Sequence, residues 1–387
     1  MANRMLTMKN IATRALAILQ DQLVFPALCN NDYSDTFMQK GDTIQVKRPA
    51  VYVADEFGGT INLQDINPFP VLVTMNHHAD VSVEWTSKEA AMELDDLEED
   101  VLRPALVAIA EKVNSDGLDL YKWVGGYNGT SGVTPDALAD IKDIRVSLNK
   151  AKAPMGNRFG VWDPDADGEL SIVDAIVNAE KSGSTQALRD GAIGRIQGVD
   201  NYMSQAIKTH TAGDYTALAD VTGTIVVANN AVDTITGLTY SSIVLTSAAG
   251  TSTDTLLQGD LLTFADENGK IYQVTVIEDT AAAVAGVVTA KVFPAVTVAV
   301  TDNAVTFADV TAGGHVANLG FYRDAFGFVT APLMSAEGAE SAVVSYGGLS
   351  VRVVKAYDTT TKKTTMSLDF LYGYAPLYPE LATRILG

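Results

Sequence analysis

Residues 211–310 have a composition unlike the sequence on either side of them. They contain no Arg, Met, Trp, His or Cys. Two lysines, Lys270 and Lys291, stand against eleven acids: Asp214, Asp220, Asp233, Asp254, Asp260, Asp266, Glu267, Glu278, Asp279, Asp302 and Asp309. Thr, Val and Ala dominate, a bias that fits a half-buried pleated surface. The stretch therefore reads as a β-rich module inserted into a host domain that begins before it and resumes after it.

The bulk properties narrow what that host can be. A chain of 387 residues has room for two or three domains at about 100–200 residues each. A hydrophobic content of 47% with 19% charged residues supports a sizeable packed core. The lone cysteine, Cys29, excludes an internal disulfide framework and a thiolate zinc cluster. The first 28 residues do not read as a signal peptide, because Arg14 interrupts their apolar run. No stretch reaches the roughly 18 uncharged apolar residues of a membrane span. A net charge of −20 argues against a dedicated nucleic-acid binder, which needs clustered Lys and Arg. It also means that copies repel at long range, so self-assembly has to rest on apolar or locally complementary contacts. The first twenty residues differ: Arg4, Lys9 and Arg14 are accompanied by no acid.

Periodicity predicts the elements. Ile11, Ala15, Ile18 and Leu19 recur at helical spacing over 8–24, and Pro26 ends the run. Residues 42–53 and 70–85 alternate like strands, with Val81, Val83 and Trp85 on one face of the second. Together they predict a long two-stranded arm. Such a ribbon is marginal alone and needs a surface to lie on, such as another subunit. A helix with Thr86 or Ser87 as N-cap is predicted to run through to Trp123, about 50 Å at 1.5 Å per residue. Its apolar stripe is Ala90, Leu94, Leu97, Val101, Ala105, Ile109 and Val113, and its other face carries the acidic run 93–100. A second helix is expected over 134–150, a strand over 158–162, another helix over 170–181, and irregular chain over 188–210. Within the insert the clearest hairpin joins 261–265 to 271–277 through Asn268-Gly269. Further strands are expected at 223–228, 242–246, 286–293, 296–300 and 304–308, enough for a small barrel or sandwich. Strands 349–357 and 365–373 close the chain.

Three constellations could carry chemistry. Asp163, Asp165, Asp167, Gly168, Leu170 and Asp174 match the spacing of a calcium loop. The residues before it read as a strand, its last ligand position is Asp where Glu is usual, and it has no second copy. The alternative is a turn in which these short side chains cap a helix. His77 and His78 are neighbours on a strand and point to opposite faces, so they cannot share an ion. His210 and His315 bracket the insert and read as structural histidines. The sequence has no GxSxG, GxxxxGK[ST] or HExxH motif. The acidic run 93–100 reads as a solvated or intersubunit face. No catalytic, cofactor-binding or metal-binding residue is assigned, and the chain is read as a non-enzyme.

The flanks of the insert carry a resemblance. LRDGAIGRIQGVDNY (188–202) and ANLGFYRDAFGFVTAPL (317–333), with the closing LSVRVVKAYDTTTKKTTMSLDFLYGYAPLYPELATRI (349–385), resemble the major coat proteins of short-tailed double-stranded-DNA phages, the coat protein five family. The GDLLTF stretch (259–264) is similar to that family's inserted domain. The resemblance implies an α+β Hong Kong 97-type capsid fold with an inserted all-β, barrel-like domain. Its divisions would be an N-terminal helical arm (1–35), an extended β-loop (36–85), a spine helix and peripheral domain (86–133), an axial domain (134–212 and 313–345), the insert (213–312), and C-terminal peripheral strands (346–387). It further implies a subunit that assembles into hexamers and pentamers of an icosahedral shell around packaged double-stranded DNA, without sequence-specific binding. Scaffolding and portal proteins would be partners, no membrane would be involved, and no cofactor would be needed. The expected location is the virion capsid, with assembly in the host bacterial cytoplasm. Arg4, Lys9 and Arg14 are candidates for touching scaffold or DNA, and an acidic inner face would keep that DNA mobile. The competing reading is an extracellular calcium-dependent β-rich adhesion protein. The shell reading expects indifference to chelators; the adhesion reading expects stabilisation by calcium.

Overall fold

A computed structural model describes residues 8–33, 43–47, 56, 70–86, 102–183, 186–214, 226–233, 236–246, 255–265, 269–284, 287–296, 305–309, 313–335, 338–346 and 348–387. Helix α1 (Met8–Gln22) buries Ile11, Ala12, Ala15, Leu16 and Leu19 and leaves Lys9 and Arg14 exposed. A sharp corner leads into the one-turn α2 (Phe25–Leu28). Strands β1 (Thr43–Lys47), β2 (Pro70–Thr74) and β3 (His77–Thr86) follow, then α3 (Arg103–Leu118) and a 3-10 turn, Asp119–Trp123. Of the predicted helical stripe, Ala105, Ile109 and Val113 are buried as expected. The residues of that stripe before 102, and the acidic run 93–100, lie outside the described residues. Thr86 is the last residue of β3, Ser87 lies outside the described residues, and Pro104 stands in the first turn of α3, where its missing N–H costs nothing.

Next come β4 (Tyr127–Gly129), α4 (Leu138–Lys150), β5 (Arg158–Trp162) and α5 (Pro164–Ser171). After three short helical turns, β6 (Arg195–Ile196), β7 (Val199–Met203) and β8 (Thr209–Thr211) occupy the span expected to be irregular. Those strands are too short to show a period. The insert supplies β9 (Val226–Val232), β10 (Thr239–Thr246), β11 (Leu261–Ala265), β12 (Ile271–Val276), β13 (Val287–Phe293) and β14 (Thr306–Phe307). The host resumes with β15 (Gly314–Tyr322), β16 (Phe326–Thr330), β17 (Glu340–Tyr346), β18 (Leu349–Asp358), β19 (Lys363–Pro376) and β20 (Ala382–Leu386).

These strands form four sheets. The insert is one antiparallel sheet in the order β14-β11-β12-β13-β10-β9, covering its own apolar cluster of Ile243, Leu245, Leu262, Phe264, Val274, Val288 and Val292. The first host sheet runs β4-β20-β15-β5-β7-β6, with β8 added on β15. It is mixed, because β4 runs parallel to β20 and β7 parallel to β5. The second host sheet runs β16-β19-β18-β17, with β3 added on β19.

The expected two-stranded arm is thus divided. β1 and β2 pair with each other, but β3 pairs β19 over ten residues of this same chain, Asp80 opposite Asp369 and Val83 opposite Met366. The reason is its apolar face. Ala79 is buried, and Val81 and Trp85 are half-buried against the largest core. The β1–β2 ribbon also lies on its own chain: Val46, Val71 and Val73 join Leu238, Ile277 and Phe293 of the insert and Val329, Ala375 and Leu377 of the second host sheet.

Asn114 holds the α1–α2 corner against α3. It accepts from Phe25 N at 3.3 Å and donates to Gln22 O at 3.2 Å, so one buried amide serves two helix ends that would otherwise lack partners. Gly117 lets Phe25 and Tyr374 approach, since a Cβ there would meet them at 2.5 and 2.8 Å. One turn away, Asp116 accepts from Lys112 at 2.6 Å and from the Tyr372 hydroxyl at 2.7 Å. Burial alone would favour its protonated form, but those two bonds outweigh it and hold the carboxyl below its ordinary range. At Asp369, burial is outweighed in the same way by Arg352 and Ser367.

A carboxyl depressed in the folded state gives stability that is present above the unfolded value of about 3.9 and lost as pH falls through the folded value. Thermal unfolding is therefore expected to be insensitive to these two groups between neutrality and about pH 5 and to weaken steeply below about pH 4. The Asp116→Asn/Asp369→Asn variant should unfold earlier at neutral pH and show a shallower acid limb in calorimetry. An unchanged acid limb would count against this account.

Candidate functional site

The insert enters and leaves at one place. β8 pairs β15 there, with Thr211 opposite Gly314, His210 opposite His315 and Thr209 opposite Val316. Directly opposed residues present their side chains to one face, and the two imidazoles lie 5.1 Å apart between centroids. The sequence brackets the insert with these histidines, and the fold brings them together.

Around them is a dry polar cluster. His210 Nε2 meets Asp260 Oδ1 at 2.9 Å, and its Nδ1 meets the Tyr121 hydroxyl at 3.0 Å. Asp260, fully buried just before β11, also accepts from Gly213 N and Leu257 N. His315 Nδ1 lies 2.9 Å from both oxygens of Asp309, which follows β14. Arg384, in the middle of β20, is fully buried. Its guanidinium donates to Val124 O at 2.9 Å, Gly259 O at 2.7 Å and Thr275 Oγ1 at 2.8 Å, and packs 5.0 Å from the Tyr121 ring centre. Two of those acceptors belong to the insert and one to the host.

The electrostatics follow from burial. Desolvation lowers Arg384 to about 10, still charged at neutral pH, and pushes Tyr121 up to about 12, so its hydroxyl keeps its proton. Burial also takes His315 below the ordinary imidazole range, so the neutral ring donates Nδ1–H to Asp309. Burial opposes ionisation of Asp309, but hydrogen bonds, that of His315 first, outweigh it and keep the carboxylate low.

A second seam flanks this cluster. Gln273 donates to Tyr127 O at 2.9 Å, the Tyr127 hydroxyl pairs with Thr263 Oγ1 at 2.8 Å, and Thr275 Oγ1 donates to Lys122 O at 2.9 Å. Gly125 permits the approach, because a Cβ there would lie 2.8 Å from Phe293 O. Nothing in this arrangement offers an exposed nucleophile or base. The geometry makes a rigid joint.

No protein-family model matches the chain. The "Major capsid protein" of Acyrthosiphon pisum secondary endosymbiont phage 1 is 26% identical over 401 residues, covering 90% of this chain and 89% of that protein. A solved structure from Mycobacterium phage Che8 superposes with a TM-score of 0.53 at 12% identity, over 94% of this chain and 90% of that one. The chain is a homologue of a phage major capsid protein. Its fold is the Hong Kong 97 type of phage capsid subunits. A weaker likeness, from which nothing is drawn, is to the mature capsid of bacteriophage PhiM1 (TM-score 0.45, 10% identity, 89% and 82% covered).

On this capsid-type fold the other sequence candidates take structural places. The calcium-like stretch is helix α5. Asp163 caps it by accepting from Asp165 N at 3.2 Å, while Asp174 is engaged by Asn178 and Lys181. No three of these carboxylates converge on a point among the described residues. Burial raises both Asp163 and Asp167 above the ordinary carboxylate range. A proline at the first helical position favours the capped helix. His77 stacks on Tyr372 at 5.3 Å and faces Asp116, whereas His78 faces Asp369. They point apart, as their adjacency on a strand requires. Arg4 lies outside the described residues, and Lys9 and Arg14 are exposed on α1. A cleft of about 850 Å³ lies between the α1–α2 corner, α3 and residues 203–206, and Glu111, Lys112, Ser115 and Ser204 are among its lining residues.

Sequence reasoning missed Arg384, Tyr121, Asp260 and Asp309. One signal was available: Arg384 interrupts the otherwise apolar run Ala-Thr-Arg-Ile-Leu, and a charge in a buried strand must have partners. Arg384→Met is expected to destabilise the chain by about 3 kcal/mol or more, since it strands buried acceptors in both host and insert. Urea unfolding would measure this; a loss under about 1 kcal/mol would show that the acceptors find other donors.

Proposed function

We propose that this chain is a major capsid subunit that assembles with copies of itself into a closed icosahedral phage shell around double-stranded DNA. The observation that supports this most is the alignment with a phage "Major capsid protein" along nine-tenths of the chain, on a subunit with the capsid fold. The function is mechanical. The insert is held to the host by a desolvated arginine and a hydrogen-bonded seam, and the β1–β2 ribbon is held by an apolar cluster, so each copy presents its edges in a fixed relation. A net charge of −20 repels both other copies and DNA at long range. That favours assembly guided by a scaffolding protein and leaves packaged DNA mobile. Hexamers, pentamers, a portal partner and assembly in the bacterial cytoplasm belong to this reading. The adhesion alternative loses its main support, because the aspartates it needed form a helix cap.

Electron microscopy of the protein produced with its scaffold is expected to show closed shells, and gel filtration to show megadalton particles whose yield changes with salt. A calcium-stabilised monomer that never assembles would overturn the reading. Replacing residues 220–310 with a short Gly-Ser linker is expected to impair folding of the host itself, since Arg384 would lose Gly259 O and Thr275. A stable host that merely fails to assemble would point instead to contacts of the insert between subunits.

A further inference from the structure

The junction carries an unbalanced charge. Asp260 and Asp309 are at most 1% exposed, and the only formal positive charge buried with them among the described residues, on Arg384, is spent on two backbone carbonyls and a hydroxyl. Neither carboxylate receives a hydrogen bond from it. Two anions with one cation leave a negative charge that burial makes costly unless a further cation joins them.

The donor set is suited to such a cation. One ligand atom each from His210, Asp260 and Asp309 lie within 4.8 Å of one another, and all three residues are buried. Bonds of about 2.0–2.2 Å in tetrahedral geometry separate ligand atoms by roughly 3.3–3.6 Å. Side-chain shifts of about 1 Å would therefore close the set. Each ligand already has the outer partner that ligating groups require. Tyr121 Oη holds His210 Nδ1, Gly213 N and Leu257 N hold Asp260, and His315 Nδ1 holds Asp309. The ring of His315 packs on that of His210, and its Nε2 is a buried side-chain atom with no hydrogen-bond partner. An imidazole with one nitrogen on a carboxylate and the other bare is the arrangement of a metal-ligating or water-holding histidine. Imidazole and carboxylate donors together favour a first-row divalent ion such as zinc over calcium or magnesium.

We propose that His210, Asp260 and Asp309 form a site for a divalent transition-metal ion that pins the insert to the host, with His315 positioning Asp309. Its ligands span the joint: His210 is in the host strand before the insert, Asp260 is inside the insert, and Asp309 is at its exit. With the ion on Nε2, the neutral His210 ring would carry its one proton on Nδ1 and donate it to Tyr121 Oη. The indifference to chelators expected from sequence is replaced here by sensitivity to a strong zinc chelator.

The test uses the full-length chain, stripped with a strong chelator and then given zinc. Metal content after gel filtration is expected to be about one ion per chain. Thermal unfolding should shift upward with zinc and stay unmoved by calcium or magnesium. The exposed-histidine control, His77→Ala/His78→Ala, should bind as the parent does. Asp309→Asn is expected to weaken zinc binding at least tenfold. Absence of retained zinc, retention that vanishes in the exposed-histidine variant, or full retention by folded Asp309→Asn would each overturn the proposal. Should Asp309→Asn fail to fold, the cobalt-loaded parent decides. Intense visible ligand-field bands of a four-coordinate ion support the site; the weak bands of a hydrated octahedral ion refute it.

Discussion

A guanidinium taken wholly out of water is the constraint on which the rest of this subunit depends. Arg384 cannot lie in the interior unless acceptors are brought to it, and they come from three remote segments at 124, 259 and 275. Satisfying that charge requires the last host strand, the turn after α3 and two strands' worth of insert to be assembled together. A hydrophobic joint of the same area would tolerate sliding. A fork of fixed donors does not, because each displaced bond exposes an uncompensated charge in a low-dielectric setting. The apolar cluster around Val71, Phe293 and Leu377 then fills the space beside a joint whose register is already set.

This explains why the insert is so plain chemically. Its own sheet is closed by aliphatic packing and needs no charge inside. Among its described buried polar groups, Ser241 and Thr236 are satisfied inside the insert, whereas Asp260, Thr275 and Asp309 lie at the joint with the host. The acids that look like a general compositional bias therefore do two different things. Asp214, Glu278 and Asp279 are exposed, and two others are buried where the insert meets Arg384 and the histidine pair.

Much of the architecture was legible because local pattern and tertiary outcome agree. The compositional break begins after β8 and ends before β15, which are partners in the same ladder. Ala105, Ile109 and Val113 announce α3, and the polar turn between β18 and β19 announces their hairpin. Pairings that join distant residues left no local mark. β3 alternates like any half-buried strand, and nothing at Ala79 or Val83 says that its partner lies at 363–372. The parallel pairing of β5 with β7 is equally silent, since both strands are five residues long. At the junction the histidines could be noticed but not placed. Their carboxylate partners sit among nine other acids of the insert, and only the fold separates Asp260 and Asp309 from that background.

The pairing of β8 with β15 also bears on how the chain finds its structure. β5 and β15 are neighbours in one sheet although the whole insert lies between them. Closing a flexible loop of about 100 residues costs roughly 4 kcal/mol of chain entropy before any host contact rewards it. An insert that has already folded holds its two ends one strand-spacing apart and removes most of that barrier. The sheet of the host then grows from a template, β8 beside β15, and the search that would make so non-local a topology slow becomes a short one. In this sense the insert acts on the time axis as well as in space, because local hairpins close faster than pairings between remote strands.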